Sequence, residues 1–396
     1  YQNVAIGSFA GQDMTTGFYN VLLGYNAGLN ITTGDSNVAI GTNALYASLL
    51  STDTVAIGWD ALYSQTVDGD SLNTAVGTKA GRSLTTGTEN TLVGYRAGYA
   101  MAAGADSNTY VGTYAGYSMD GDDNVAIGLT AAQNAGDANN CVFVGSKAGG
   151  VGVVAGDGNI AIGYLSGYSL TDGTTNILVG LEAGYSITTA SDAVLIGASG
   201  GYALTTAGNS IAIGKDALKT ATTGGNNTVV GARAAQDLAG ASANNIALGY
   251  DAMRDLTLGA YNIAIGRLTL GTNDDDPAAG STDNNIAIGY AALSAASGAS
   301  ANNAVGYGAL EKTTTGYKNV AMGQSAGRDN TTGWQNVYIG DQAGESQTTA
   351  TYNTYIGSEA GEFSTGGSNN VVIGRQAWGL GVGTGADNVV IGSLAG

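Results

Sequence analysis

Carboxylates are the residues of this sequence with the widest chemical use, because the 396-residue chain contains no histidine and one cysteine, Cys141. The absence of histidine excludes Ser-His-Asp and Cys-His catalysis and the common zinc sites. A single cysteine also excludes an internal disulfide and a multi-thiolate metal site. The carboxylates are spread over the corners of a repeat without forming one distinct pair. The sequence therefore predicts that the protein is not an enzyme.

Acidic loops are the candidate metal sites of the sequence. Calcium binds oxygen ligands, and short loops rich in aspartate can supply some of them. The candidate ligands are Asp120, Asp122, Asp274, Asp275 and Asp276. The alternative is turn chemistry, which we favour, since Asp-Gly and Asp-Pro pairs are common in turns and no loop has the spacing of an EF-hand. Calcium is thus a hypothesis, and no other cofactor is expected.

The overall composition is acidic but rich enough in apolar residues to fold. Asp and Glu number 31 against 13 Lys and Arg, which gives a net charge of −18 at pH 7. A surface of this sign repels phosphate backbones, so no nucleic-acid partner is expected. Hydrophobic residues make up 43% of the chain, which argues against disorder. No apolar run is long enough to predict a membrane span.

A single repeat organises the whole chain. A motif of Asn, three residues and Gly occurs 23 times, and 15 of the 22 spacings between motifs are 17 residues. The Gly is never replaced, whereas the Asn is replaced at Thr54, Cys141, Ala193 and Ser210. Such a period is the signature of a solenoid, in which each repeat stacks on the next. We predict one continuous array over residues 1–396, and we expect it to be an excerpt of a longer fibre because it stops within a repeat.

The three residues between Asn and Gly predict a short β-strand, and we call them the first, middle and third strand positions. The first position is β-branched in every motif except the one with Asn303, and the third is always Ile, Val, Leu or Met. Both preferences are typical of strands. One strand per repeat, each paired with the next, predicts an all-β fold: a parallel β-solenoid, or β-roll, of about 23 rungs.

The middle position is apolar in every motif as well, although its side chain points to the opposite face of the strand. A strand that is apolar on both faces is covered on both faces. We assign the first and third positions to the interior of the coil, and the middle position to an outer row that another chain must cover. This expected self-association stripe includes Ala5, Leu22, Ala39, Ala264, Ala287 and Tyr338.

Other rows repeat along the array. Stacked Asn side chains predict a hydrogen-bonded ladder. Tyrosines recur directly after the motif Gly, as at Tyr25, and before the return strand, as at Tyr46. Such rows can bind glycans, but packing against neighbouring rungs is the favoured interpretation. Paired threonines, as at Thr15 and Thr16, would bind ice only as an unbroken flat row, and this row lapses in several rungs.

Several motifs resemble a known repeat. Asn37-Val-Ala-Ile-Gly41 and Asn262-Ile-Ala-Ile-Gly266 are similar to the head repeats of trimeric autotransporter adhesins (YadA-like heads) and to repeats of phage tail-fibre and fibrous surface proteins. The resemblance covers the whole chain and implies a left-handed β-roll in a homotrimer that serves as a stalk or adhesive head. The heads of those adhesins use shorter repeats than the 17 residues found here.

Two functions from different classes follow from these observations. The first is a structural fibrous protein, a trimeric shaft or head of an extracellular, cell-surface or virion fibre that serves attachment, with a host-cell or glycan receptor as partner. The alternative is a single-chain or laterally associated solenoid that forms an extracellular filament or binds ice. The number of chains in the particle distinguishes the two.

Overall fold

Short parallel strands make up the regular structure of this chain. The computed structural model describes residues 2–150, 152–271, 281–378 and 384–396. The chain divides into two compact units, Tyr1–Ala193 and Val194–Gly396, which we call the N-unit and the C-unit. Within the described ranges every strand is three residues long, and no helix is present that could cross a membrane.

Eleven strands of the N-unit form one parallel sheet. Successive strands of this sheet are parallel and pair in register. They are β1 (Val4–Ile6), β2 (Val21–Leu23), β3 (Val38–Ile40), β5 (Val55–Ile57), β7 (Thr74–Val76), β8 (Thr91–Val93), β9 (Thr109–Val111), β10 (Val125–Ile127), β11 (Val142–Val144), β12 (Ile160–Ile162) and β13 (Ile177–Val179). A separate parallel pair, β4 (Leu50–Thr52) and β6 (Asp68–Asp70), lies in longer connections of the same unit.

The C-unit has the same construction with twelve strands. Successive strands are again parallel and in register. They are β14 (Val194–Ile196), β15 (Ile211–Ile213), β16 (Thr228–Val230), β17 (Ile246–Leu248), β18 (Ile263–Ile265), β19 (Ile286–Ile288), β20 (Asn303–Val305), β21 (Val320–Met322), β22 (Val337–Ile339), β23 (Thr354–Ile356), β24 (Val371–Ile373) and β25 (Val389–Ile391). Both units are therefore parallel β-solenoids with one rung per motif, which confirms this part of the prediction.

The invariant glycine at the end of each strand is explained by a close approach between rungs. Gly24 has a φ of 139°, and a Cβ atom built on it would lie 2.6 Å from the carbonyl oxygen of Gly41 in the next rung. Its N–H donates to the carbonyl of Ile6 in the preceding rung at 2.9 Å. Any side chain here would both strain the backbone and separate two rungs.

The Asn ladder is confirmed. In the C-unit the backbone N–H of Asn319 donates to Oδ1 of Asn302 at 2.9 Å, and its Nδ2 donates to the same oxygen at 3.0 Å. The same Nδ2 also donates to the carbonyl of Gly333 at 2.9 Å. Each Asn thus satisfies backbone groups in a corner that is inaccessible to water, which is a structural role.

The predicted facing of the strands is wrong. The middle side chain points into the coil, so Leu22, Ala39, Ala264, Ala287 and Tyr338 are fully buried within a single chain. Ala5 is exposed, but it lies in β1, which has a neighbouring strand on one side only. The physical reason is the width of the coil: a three-residue strand places one side chain on one face and two on the other, and the narrow interior accepts the single one. None of these residues forms an outer row.

Complementary side-chain sizes fill the interior. The middle position is opposed by the residue four positions after the motif Gly, and in most rungs a large residue at one is matched by a small residue at the other. A Cβ atom on Gly116 would lie 2.4 Å from the ring of Tyr110, whereas Leu270 accompanies Ala264. Large–small pairs include Leu22–Gly28, Leu92–Gly98, Phe143–Gly149, Leu195–Gly201 and Tyr355–Gly361, and the reverse arrangement includes Ala39–Leu45, Ala212–Leu218, Ala287–Leu293 and Ala304–Leu310. Where both residues are small, as at Ala75 and Gly81, a large side chain of the next rung takes the space: a Cβ atom on Gly81 would lie 2.7 Å from Cδ1 of Leu92.

Candidate functional site

The candidate functional site is an exposed apolar stripe formed by the first and third strand positions, which we call the outer stripe. In β2 the side chains of Val21 and Leu23 are 38% and 43% exposed, and in β15 those of Ile211 and Ile213 are 37% and 36% exposed. The stacking of strands in register places these residues in two continuous rows within each unit. The rows contain no charged residue in the strands given above.

Aromatic residues lie on both sides of the outer stripe at some of the rungs, among mostly polar neighbours. Tyr19 and Tyr261, which directly precede a motif Asn, are 54% and 62% exposed, and Trp59 and Tyr307, which directly follow a motif Gly, are 50% and 58% exposed. Such side chains combine an apolar ring with a polar group and are enriched at protein interfaces. The surface therefore has the anatomy of an interface, with an apolar centre and a more polar rim.

The chemistry of the outer stripe is mainly apolar contact. Most of its residues are valine, isoleucine or leucine, which offer no nucleophile, acid or metal ligand. The polar residues of the first position are Thr74, Thr91, Thr109, Thr228, Asn303 and Thr354. An apolar surface that runs along every rung of a unit exceeds the few hundred Å² that soluble monomers usually expose. The arrangement is suited to binding another extended apolar surface.

The expected stripe was placed on the wrong face of the strand, although a signal for the correct facing is present in the sequence. The size pairing between the middle position and the residue four after the motif Gly, as in Tyr110–Gly116 and Ala264–Leu270, shows that these two positions share one interior. Two residues that compensate each other in volume lie in contact. In the sequence this size pairing indicates that the two positions are neighbours, and the burial of Tyr110 and Ala264 in the structure shows that they form the core.

The acidic residues of the described loops have separate roles and do not converge. Asp122 accepts a hydrogen bond through Oδ1 from the backbone N–H of Asp106 at 2.8 Å. Partial burial raises the pKa of the Asp120 carboxyl above its usual range, and its Oδ1 has no hydrogen-bond partner. No group of three or more acidic or cysteine side chains in the described ranges is arranged to hold a metal ion. Asp274, Asp275 and Asp276 lie outside the described residues.

Several aspartates act instead as links between rungs. Two residues before the motif Asn, Asp35 accepts from the N–H of Phe18 at 2.8 Å, and Asp157 accepts from the N–H of Asn139 at 2.8 Å. These carboxylates satisfy backbone donors at a turn that the strand pairing does not reach. Their recurrence follows from the repeat and indicates a structural role.

The tyrosines before the return strand are packed on one another, whereas those after the motif Gly, such as Tyr25, are about half exposed. The rings of Tyr46 and Tyr63 are stacked with centroids 4.9 Å apart and planes within 3°, and Tyr168 and Tyr185 are stacked at 5.1 Å. Each stacked ring uses one of its faces on its neighbour, so that face is closed to a sugar ring. The geometry agrees with the packing interpretation of these rows.

The threonine rows are also engaged between rungs. The hydroxyl of Thr15 donates to the carbonyl of Thr32 at 3.1 Å, and that of Thr331 donates to the carbonyl of Thr348 at 3.0 Å. A hydroxyl that donates to the backbone cannot also donate to ordered water or ice. These rows therefore give little support to an ice-binding surface.

Cys141 occupies a position of the Asn ladder and is buried. Burial raises the pKa of its thiol, and the N–H of Asn159 lies 3.4 Å from its Sγ. A buried cysteine with a raised pKa is a poor nucleophile, because the reactive form is the thiolate. Cys141 is a structural residue.

With the geometry of the stripe described, comparison with known proteins adds no further information: neither a family model nor a curated protein sequence matches this chain.

Proposed function

We propose that this chain is part of a fibrous structural protein whose copies associate side by side through the outer stripe. The observation that supports the proposal is the pair of continuous apolar rows, typified by Ile211 and Ile213, which remain exposed after the core of each unit is complete. A second copy of the same chain supplies a surface of the same length and the same repeat. Isologous or cyclic association of identical rods is the simplest way to cover such rows.

The energetics are favourable to association. Full burial of a Val or Ile side chain is worth about 1.5–3 kcal/mol, so covering its exposed third is worth about 0.5–1 kcal/mol. The eleven rungs of the N-unit carry nineteen Val, Ile or Leu side chains at these positions, which amounts to a gross gain on the order of 10–20 kcal/mol. This gain is comparable to or larger than the estimated cost of about 4–15 kcal/mol for the lost freedom of the partners.

The assembly that we propose is a left-handed, parallel homotrimer, in which three outer stripes meet around a common axis. The support for three chains and for this hand is the resemblance of the motifs to trimeric adhesin heads, together with a stripe only two residues wide. A narrow stripe on a rod is covered well when it lies at a central axis. The remaining faces, which carry charged and aromatic residues, then point to solvent.

The biological role that we propose for this fibre is attachment in an extracellular setting, at a cell surface or on a virion. A shaft built from repeated rungs resists local unfolding because successive rungs within each unit are joined by backbone hydrogen bonds and, at most rungs, by Asn hydrogen bonds. A filament of single chains is the alternative, and no contact in either unit favours it. We do not propose ice binding, because the threonine hydroxyls donate to neighbouring carbonyls.

The test of the association surface is the mass of the particle in solution. Light scattering after size exclusion should give three chains for the wild-type protein, and fewer for Ile211→Asp combined with Ile213→Asp. Lys215→Ala in the same rung is the matched control, because Lys215 is exposed at the corner and its loss should leave the mass unchanged. A wild-type mass of one chain would overturn the proposed association.

A further inference from the structure

A cluster of basic and aromatic side chains lies on the corner and the adjoining face of the N-unit. The N-unit has four basic residues, and three of them, Lys79, Arg82 and Arg96, lie on two successive rungs. The fourth, Lys147, is on a distant rung. In a unit dominated by acidic residues, this concentration of positive charge is local and distinctive. We call Lys79, Arg82, Arg96, Tyr63, Tyr99 and Tyr114 the Tyr/Arg cluster.

Arg82 forms the centre of a stack. Its guanidinium carbon lies 5.1 Å from the ring centre of Tyr63 and 5.9 Å from that of Tyr99. Its Nε is also paired with Oδ2 of Asp60 at 3.4 Å. Arg82 is therefore largely neutralised and holds the two rings in place.

Arg96 and Lys79 are the uncompensated charges of the cluster. The guanidinium carbon of Arg96 lies 5.1 Å from the ring centre of Tyr99 and 5.7 Å from that of Tyr114, and its Nη1 is 3.5 Å from the hydroxyl of Tyr114. Its Nε is inaccessible to water and has no acceptor. Among the described residues, neither Arg96 nor Lys79 has a carboxylate within ion-pair distance.

The two charges contact different aromatic rings: the ammonium of Lys79 lies 4.6 Å from the ring centre of Trp59 in the preceding rung, whereas the guanidinium of Arg96 lies beside Tyr99 and Tyr114. Lys79 and Arg96 occupy the same position in successive rungs, so their backbones are about 4.8 Å apart. Tyr99 is stacked on Tyr117 at 5.2 Å, which leaves ring edges and phenol groups, rather than open ring faces, for a ligand. A phenol both donates and accepts hydrogen bonds.

We propose that the Tyr/Arg cluster binds a carboxylate-bearing sugar unit of an acidic polysaccharide. The planar guanidinium of Arg96 matches the two oxygens of a carboxylate, and the ammonium of Lys79 adds a second positive charge. The phenol groups match the hydroxyls of a sugar. Nucleic acids fit less well, because their bases require open ring faces, and the rings of the cluster are covered by neighbouring rings or by arginine.

The test is calorimetric titration of the full chain with an oligogalacturonate, using the neutral galacto-oligosaccharide of the same length as a control. The acidic oligosaccharide should bind and the neutral one should not. Arg96→Ala should weaken binding by about tenfold or more, as expected for the loss of a charge-assisted hydrogen bond, whereas Lys147→Ala should bind like the wild type. Arg96→Lys keeps the positive charge but lacks the paired N–H donors of the guanidinium, and it should give an intermediate affinity. Circular dichroism verifies that each variant is folded.

Four results would overturn the assignment. The first is binding of the neutral oligosaccharide as tightly as the acidic one, and the second is an equal loss of affinity in Arg96→Ala and Lys147→Ala. The third is binding of oligodeoxythymidylate that is as tight as that of the oligogalacturonate and depends equally on Arg96. The fourth is a change of particle mass in Arg96→Ala. The third would identify a general polyanion surface, and the fourth an interface between copies. The inference does not depend on association through the outer stripe, so its failure would leave the proposed function untouched.

Discussion

The N-unit and the C-unit share one backbone design but differ in the continuity of the Asn ladder. In the C-unit the ladder is unbroken from Asn227 to Asn388, with each Oδ1 accepting from the N–H of the next Asn at 2.8–3.0 Å. In the N-unit it is interrupted at Thr54, Cys141 and Ala193, and in the C-unit at Ser210, which precedes this run. The difference shows that the rungs can stack without an Asn, provided that another group takes over its hydrogen bonds.

The interruption at Thr54 is repaired by a buried polar network. Gln65 replaces an apolar core residue and donates through Nε2 to the hydroxyls of Ser51 and Thr54, both at 3.3 Å. Its Oε1 accepts from Nδ2 of Asn73 at 3.3 Å, and the hydroxyls of Thr54 and Ser71 are in contact. The glutamine amide thus supplies, from the opposite wall of the interior, what the missing Asn would have supplied.

The units also differ in how they arrange surface charge. In the described residues of the C-unit, ion pairs link successive rungs, as in Arg233–Asp251 and Lys312–Asp329, both at 2.8 Å. The described residues of the N-unit contain one ion pair, Arg82–Asp60, and their neighbouring rungs are linked by stacked tyrosine rings instead. The backbone fold therefore tolerates different surface chemistries, and stability differences between the units should follow from the ladder and the core.

The largest expected effect is common to both units and tests the facing of the strands. Ala264→Asp in the C-unit and Ala126→Asp in the N-unit each place an unpaired carboxylate in the closed interior, which should cost about 3–5 kcal/mol or more. Ile265→Asp and Ile127→Asp are the controls, because these side chains belong to the outer stripe and should affect association rather than folding. Thermal unfolding followed by circular dichroism measures the first effect. A native midpoint for Ala264→Asp would contradict the assigned interior.

The next effect concerns the size pairing of the interior. Gly116→Leu in the N-unit should destabilise the protein by about 3 kcal/mol, because the new side chain meets the ring of Tyr110. Addition of Tyr110→Ala converts the rung to the Ala–Leu pair found natively at Ala264 and Leu270 and should restore most of the stability. Urea unfolding of the two single variants and the double variant measures the coupling. If the losses of unfolding free energy in the two single variants simply add up in the double variant, the two positions do not share a cavity.

Breaking the continuous ladder should cost more than altering the interrupted one. Asn302→Ala removes the acceptor of the Asn319 N–H and the donor to the Gly316 carbonyl, and should destabilise the C-unit by about 2–4 kcal/mol. Thr54→Ala in the N-unit removes one hydroxyl from a network that retains Gln65, and should cost about 1 kcal/mol. Urea unfolding with a probe in each unit gives the two values. Equal losses of unfolding free energy in the two variants would mean that continuity of the ladder does not contribute to stability.

Alkaline pH should also reduce the stability of the two units to different extents. Burial raises the pKa values of Tyr338 and Tyr355 in the C-unit and of Tyr110 in the N-unit. Because the folded pKa values lie above the unfolded value of about 10, the stability is fully present below pH 10 and is lost as the pH rises further. The C-unit should weaken more steeply, by up to about 1.4 kcal/mol per pH unit for each tyrosine. The double variant Tyr338→Phe, Tyr355→Phe should reduce the dependence of the unfolding free energy on pH between pH 9 and 11. An unchanged dependence would show that these two phenols do not cause the loss of stability.

The smallest expected effect is an increase in the stability of the N-unit. Cys141→Asn should complete the N-unit ladder between Asn124 and Asn159 and stabilise the protein by about 1 kcal/mol. Cys141→Ser, which offers an acceptor but no amide, should give a smaller change. Differential scanning calorimetry can resolve the two variants. A lower midpoint for Cys141→Asn would show that the corner at this rung has adapted to sulfur.

The architecture could be predicted from the sequence because it depends on features that recur in every repeat. The invariant Gly, as at Gly24, and the β-branched first position define where each strand lies and where it ends. The Asn ladder could also be anticipated, since identical polar residues at a fixed period stack on one another. The candidate site could not be located in the same way, because the residues of both strand faces are apolar.

By itself the sequence determined the period, the strands, the corner glycines and the Asn ladder, all of which follow from local conformation and from the stacking of equal units. Only the tertiary structure decided which face of the strand is core. Alternation requires that Ala264 and Ile265 point to opposite sides but does not say which side is inside. That choice depends on the width of the closed coil, which accommodates one side chain per strand together with Leu270 and leaves the outer stripe exposed. The contacts that close the interior join residues on opposite walls of a rung, and their distance is set only when the whole turn is folded.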